Sequence, residues 1–111
     1  MTARIIGLAA FAAILVVTQG AYAAVKTETV EYKDGDTVCK GYLAYDDAVK
    51  GARPAVVLVH EWWGLGPNVK KNAERLAAMG YVGFALDMYG GALYTDDVKE
   101  AGKNASVFKG D

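Results

Sequence analysis

The stretch Pro54–Pro67 reads P-A-V-V-L-V-H-E-W-W-G-L-G-P, and it decides the fold. It begins as an unbroken apolar run, Ala55–Val59, rich in valine. Side chains that branch at Cβ favour extended backbone. A short apolar run bounded by turn residues predicts a strand buried on both faces of a parallel sheet. The run ends in a polar pair, His60-Glu61, followed by two tryptophans and two glycines. That pair is expected at the carboxyl end of the strand, where open α/β sheets place their ligands.

Downstream, Gly66-Pro67-Asn68 predicts the start of a helix that runs to about Met79. Proline suits the first helical turn because its missing N–H would have no partner there. Gly66 and Asn68 both suit the cap, and the pattern leaves the choice open. Val69, Ala73, Leu76 and Ala77 fall at helical spacing on one face, with Lys70, Lys71, Glu74 and Arg75 largely off it. Gly80 fits the residue just past the helix end. Tyr81–Leu86 predicts a second buried strand, with Asp87 at its carboxyl end. Strand, helix and strand in that order require a parallel pair with a right-handed crossover. Thr95–Phe108 predicts a further helix, its N-terminus favoured by Asp96 and Asp97. Upstream, Val25–Lys33 and Thr37–Tyr45 alternate in polarity around the turn Asp34-Gly35-Asp36, which predicts a β-hairpin of half-buried strands. Asp46–Arg53 is polar and reads as a connecting loop. The class is therefore α/β: a β-hairpin, then a βαβ unit and one more helix.

The first residues belong to a different kind of segment. Met1–Arg4 carries one basic residue, Ile5–Val17 is apolar or small throughout, and Thr18–Ala23 ends in A-Y-A. That order is the one found in secretory signal peptides, so residues 1–23 are expected to be cleaved and the domain to span 24–111, in the periplasm or outside the cell. The apolar core is shorter than the roughly 18–20 residues that cross a bilayer, so no stable membrane span is expected after cleavage. A formal net charge of −1 over 111 residues argues against a nucleic-acid partner. Cys39 is the sole cysteine, which excludes an intramolecular disulfide. A domain this small relies on its core alone and should be marginally stable.

Four motifs carry possible chemistry. His60-Glu61 could open the zinc motif H-E-x-x-H, but its second histidine would fall on Gly64, and His60 is the only histidine. Gly64-Leu65-Gly66 lies between a strand and a helix, as a dinucleotide fingerprint would, with Asp87 at a distance suited to a ribose. The third glycine position holds Val69, and Trp62-Trp63 crowd the space a pyrophosphate needs. Cys39, in T-V-C-K-G, half-resembles a nucleophile elbow. An elbow leads from a strand into a helix, whereas Cys39 falls inside a hairpin strand and reads as a buried structural thiol. Ser106 has no flanking glycines and belongs to a glycosylation sequon, N-A-S. Glu61 remains: a carboxylate at a strand tip beside two tryptophans is expected to be partly desolvated. It either caps the loop or pairs with a lysine, or it serves as an active-site carboxylate.

P-A-V-V-L-V-H-E-W-W-G-L, followed by N-A-E-R-L-A-A-M-G-Y-V-G-F-A-L-D-M-Y-G, resembles the N-terminal part of a dienelactone hydrolase, an esterase of the α/β-hydrolase fold. The resemblance runs from about Val25 to Asp111, and H-E-W-W-G and D-M-Y-G are its specific parts. It implies that Glu61 lies beside the catalytic cysteine and tunes its ionisation. It implies that the Trp62 backbone N–H helps form the oxyanion hole, and that Asp87 is structural rather than the triad aspartate. Acyl transfer needs such N–H donors, and the loop after the third strand is where this fold places one.

In that family the nucleophile, aspartate and histidine lie further along a chain about twice as long, so none of the triad is expected here. His60 has no nucleophile to partner. The segment then corresponds to a fragment, to one part of a split or frameshifted gene, or to a short product in its own right. The expected function is an exported esterase acting on ester or lactone bonds, of the carboxymethylenebutenolidase type, inactive as this segment alone. The substrate would be a small molecule, and no metal or organic cofactor is implied. A non-catalytic exported α/β module with a tryptophan-lined crevice is the alternative. The incomplete sheet should leave a strand edge unpaired and prone to self-association.

Overall fold

A computed structural model describes residues 25–109. The leader expected at residues 1–23 lies outside them. The elements are strands β1 (Val25–Asp34), β2 (Thr37–Asp46) and β3 (Ala55–Val59), helix α1 (Pro67–Ala78), strand β4 (Val82–Leu86) and helix α2 (Val98–Ser106). The strands form one mixed sheet in the order β1-β2-β4-β3.

β1 and β2 pair antiparallel from Val25 opposite Asp46 to Asp34 opposite Thr37. Gly35 takes φ +57°, as the primed hairpin turns require at their first central position. On β1, Val30 and Tyr32 are half-buried between exposed polar neighbours, as their alternation predicts. β2 then pairs antiparallel with β4, placing Ala44 opposite Gly83.

β3 and β4 are parallel, from Ala55 opposite Val82 to Val59 opposite Leu86, with α1 as the crossover between them. Val69, Ala73 and Ala77 of α1 are buried against Ala44 and Ala85, together with Leu65. Small side chains let the helix approach the sheet closely. A Cβ on Gly83 would stand 2.5 Å from the Ala73 carbonyl oxygen, so glycine is needed there. Gly66 is the cap of α1, with no side-chain bond, and Pro67 begins the helix. The helix stops in a Schellman motif: Gly80, at φ +94°, donates to the Ala77 carbonyl and Tyr81 to the Leu76 carbonyl. That bond occupies Tyr81, so β4 starts one residue later than its apolar run suggests.

Two expectations are corrected. β3 is not buried on both faces: it is an end strand, and Val57 and Val59 are 58% and 63% exposed. Register puts Val57 and Val59 on the face away from α1, beside Phe84 and Leu86. Among the described residues nothing covers that face of β3 or pairs with its outer edge. The second helix is shorter than Thr95–Phe108, because Asp97 caps it by accepting from the Glu100 N–H at 2.9 Å.

Candidate active site at the carboxyl ends of the parallel strands

The loops that leave β3 and β4 are built as one unit, and Asp87 is its anchor. Its carboxylate is 2% exposed and accepts three backbone bonds, from Lys40 N–H at 2.9 Å, Gly90 N–H at 3.0 Å and Ala92 N–H at 2.8 Å. Its backbone is held as well. The Asp87 N–H donates to the Tyr32 hydroxyl at 2.8 Å, and that hydroxyl donates to the Asp87 carbonyl at 3.2 Å. Burial, above all, pushes the Tyr32 phenol up from its ordinary value, which keeps this bridge protonated. Asp87 thus ties the 88–95 loop to the hairpin, the structural role that the resemblance implies.

The same loop grips the residues after β3. Leu65 N–H donates to the Leu93 carbonyl and Thr95 N–H to the Trp63 carbonyl, each at 3.0 Å. Gly64 sits at φ +96°, and a Cβ there would collide with the Leu93 carbonyl; one on Gly66 would enter the Tyr94 ring. These two glycines, which could have opened a dinucleotide fingerprint, instead let backbone and ring pack together.

His60 is buried and spans the two loops. Its Nδ1 lies 2.7 Å from the Glu61 carbonyl, its Nε2 accepts from the Met88 N–H at 3.2 Å, and its ring meets Tyr89 edge-on at 4.8 Å. Both ring nitrogens are occupied by backbone. Tyr89 stacks on Phe108 at 5.4 Å and donates its hydroxyl to the Trp62 carbonyl at 2.9 Å. Trp62 and Trp63 pack edge to face at 5.1 Å.

Glu61 differs from expectation. It is exposed rather than partly desolvated, because the strand tip opens to solvent and the tryptophans turn toward each other. Its carboxylate accepts from Asn68 Nδ2 at 2.8 Å, and among the described residues no lysine pairs with it. Asn68 belongs to the first turn of α1, where the helix dipole favours an anion. Glu61, Trp63, Asn68 and Tyr94 line a crevice of about 320 Å³. Cys39 lies elsewhere. It is 3% exposed on β2 and borders a separate depression with Tyr89 and Phe108 that shares no residue with the Glu61 crevice. Ser106 ends α2, donating to the Lys103 carbonyl at 2.7 Å. Among the described residues, no three His, Cys, Asp or Glu side chains are placed to hold a metal ion.

Glu61 and Trp62 therefore stand together at the strand exit, while Cys39 is apart from them. Sequence reasoning named Asn68 only as a candidate cap and Tyr89 only within D-M-Y-G, and it passed over Tyr94. Asn68 at helical position two and the D-M-Y-G tyrosine were visible signals. Tyr94 carried none, because its role depends on a partner glycine remote in sequence.

The fold and these loops have relatives. The dienelactone hydrolase family model matches residues 39–109. A candidate carboxymethylenebutenolidase of Aquifex aeolicus is 40% identical over 79 residues, which are 68% of this chain and 32% of that protein. Protein usf of Aquifex pyrophilus is 38% identical over the same shares. The chain thus spans about a third of these curated relatives. Among solved structures, a dienelactone hydrolase-like promiscuous phosphotriesterase from metagenomic libraries superposes with TM-score 0.74 at 34% identity, over 78% of this chain and 36% of its own. The structure named m3DLH gives 0.71 at 32% identity, over 76% and 35%. The chain belongs to the dienelactone hydrolase family.

Proposed function

We propose that this chain supplies the strand-exit half of the active site of an exported esterase acting on ester or lactone bonds. The observation that carries it is the loop after β3. Its Glu61 and Trp62 occupy the carboxyl end of a parallel strand, fixed from beneath by the Asp87-anchored loop. In this reading a cysteine or serine outside the segment attacks the carbonyl, and a histidine outside it moves the proton. Trp62 N–H donates to the oxygen as it becomes negative, which lowers the barrier because the charge is greater in the transition state than in the substrate. Glu61 governs the ionisation of the nucleophile from the crevice wall. Within the segment the buried Cys39 and the backbone-occupied His60 are not proposed as substitutes. The names of the Aquifex aeolicus relative and of the family support the substrate class.

A second reading, a non-catalytic binding module, draws on the crevice itself, though Trp63 and Tyr94 rather than two tryptophans give it its aromatic wall. Reading the coding DNA past Asp111 in all three frames separates the two. A G-x-C-x-G or G-x-S-x-G stretch with later Asp and His, whose joined product hydrolyses a chromogenic ester, supports the esterase. Unrelated sequence after a stop codon, with a chain that binds small apolar ligands without turnover, supports the module.

A further inference from the structure

We propose that His60 is a positioning residue for the Trp62 N–H, which rests on the reading of Trp62 as the oxyanion donor. A backbone amide can only donate, so the Nε2 that meets Met88 N–H at 3.2 Å carries no proton. The ring's proton is then on Nδ1, and it is donated to the Glu61 carbonyl at 2.7 Å. That carbonyl also accepts from Gly64 N–H at 3.0 Å, so both of its lone pairs are engaged. The Glu61–Trp62 peptide is trans and planar, and fixing its carbonyl fixes its N–H in the opposite direction. The Trp62 N–H itself donates to no acceptor among the described residues, which leaves it available to a ligand.

The two bonds on the Glu61 carbonyl do different work. Gly64 lies in the same turn and moves with it. His60 is tied through Nε2 to Met88, just beyond β4, so the bond from Nδ1 refers the peptide to the parallel strand pair. Tyr89 extends the arrangement. It packs edge-on to the imidazole and its hydroxyl holds the Trp62 carbonyl, which orients the next peptide as well. Oxyanion donors act through preorganisation, so a peptide free to pivot would lose part of its effect.

The test uses the full chain, labelled with nitrogen-15. Long-range proton–nitrogen correlation of His60 at mildly alkaline pH should show the proton on Nδ1. The residual dipolar coupling of the Trp62 N–H should fall toward zero in His60→Ala, while those of Val69, Ala73 and Gly83 stay unchanged. His60→Gln should restore it, because its amide nitrogen can donate to Glu61 while its oxygen accepts from Met88. A ring protonated on Nε2, or a Trp62 coupling unaltered in folded His60→Ala, overturns the proposal. Should His60→Ala not fold, a folded His60→Gln that keeps the coupling supports the proposal, and one that loses it overturns it. These couplings read peptide orientation and not turnover. The proposal can therefore fail while Trp62 remains the oxyanion donor, and the reverse.

Discussion

Removing the Asp87 carboxylate should unfold or nearly unfold this domain. The side chain is buried and accepts backbone bonds of 2.9, 3.0 and 2.8 Å from Lys40, Gly90 and Ala92. Asp87→Ala leaves three partly buried backbone donors with no protein acceptor. An unsatisfied buried donor costs about 1–3 kcal/mol, and costs within one cluster do not add fully, so a loss of about 4 kcal/mol is expected. A small domain has on the order of 5 kcal/mol to lose. Asp87→Asn should cost less, about 2 kcal/mol. Its one oxygen can take the place of Oδ2 and keep the bonds to Lys40 and Ala92 without the charge, while its amide faces the Gly90 N–H. Asp47→Asn is the control. Its partner Lys26 lies 3.8 Å away and both are solvent-exposed, so its effect should stay within about 0.5 kcal/mol. Urea titration followed by far-UV circular dichroism, at one protein concentration, gives the three midpoints. An Asp87→Asn midpoint equal to that of Asp47→Asn, or a native midpoint for Asp87→Ala, would show that the Asp87 carboxylate does not anchor the loop.

Gly83→Ala should destabilise by about 1–3 kcal/mol, since the new methyl meets the α1 backbone at Ala73; a melting temperature unchanged from the parent would contradict that packing. Burial raises the Tyr32 and Tyr42 phenols, and the bond from Tyr42 to Glu74 at 2.7 Å adds to the second. The folded state thus favours the neutral phenols; their stabilisation is whole below about pH 10, where unfolded tyrosine ionises, and is lost as pH rises through the higher folded values. Urea midpoints should fall as pH rises beyond about 10, and Tyr42→Phe should flatten that fall. The bare edge of β3 is proposed as the contact through which copies of this segment associate. Val57→Lys, on its exposed face, should then shift size-exclusion elution toward the monomer, and an unchanged profile would place the contact elsewhere.

The sequence alone determined the elements whose signals are local. The valine run specified β3 to the residue, and Asp34-Gly35-Asp36 between alternating strands specified the hairpin. Pro67, the spacing of Val69, Ala73 and Ala77, and Gly80 bounded α1, because helix period and end chemistry act within a few residues. H-E-W-W-G and D-M-Y-G pointed to the family and to the strand exit where Glu61 and Trp62 stand. Tertiary structure decided the rest. The incomplete sheet implied an unpaired edge on one of the two parallel strands. An apolar run does not state which neighbours cover it, so only the strand order settled that β3 is the end strand. The exposure of Glu61 was hidden for the same reason. Val69 and the two tryptophans already spoke against Gly64 and Gly66 as a phosphate loop, but what the two glycines do instead showed only with Leu93 and Tyr94 against them. His60 read as an unpartnered histidine, yet its two nitrogens join Glu61 to Met88 across the gap between the parallel strands. Those roles belong to pairs of residues far apart in the chain, and only folding brings their atoms within hydrogen-bonding distance.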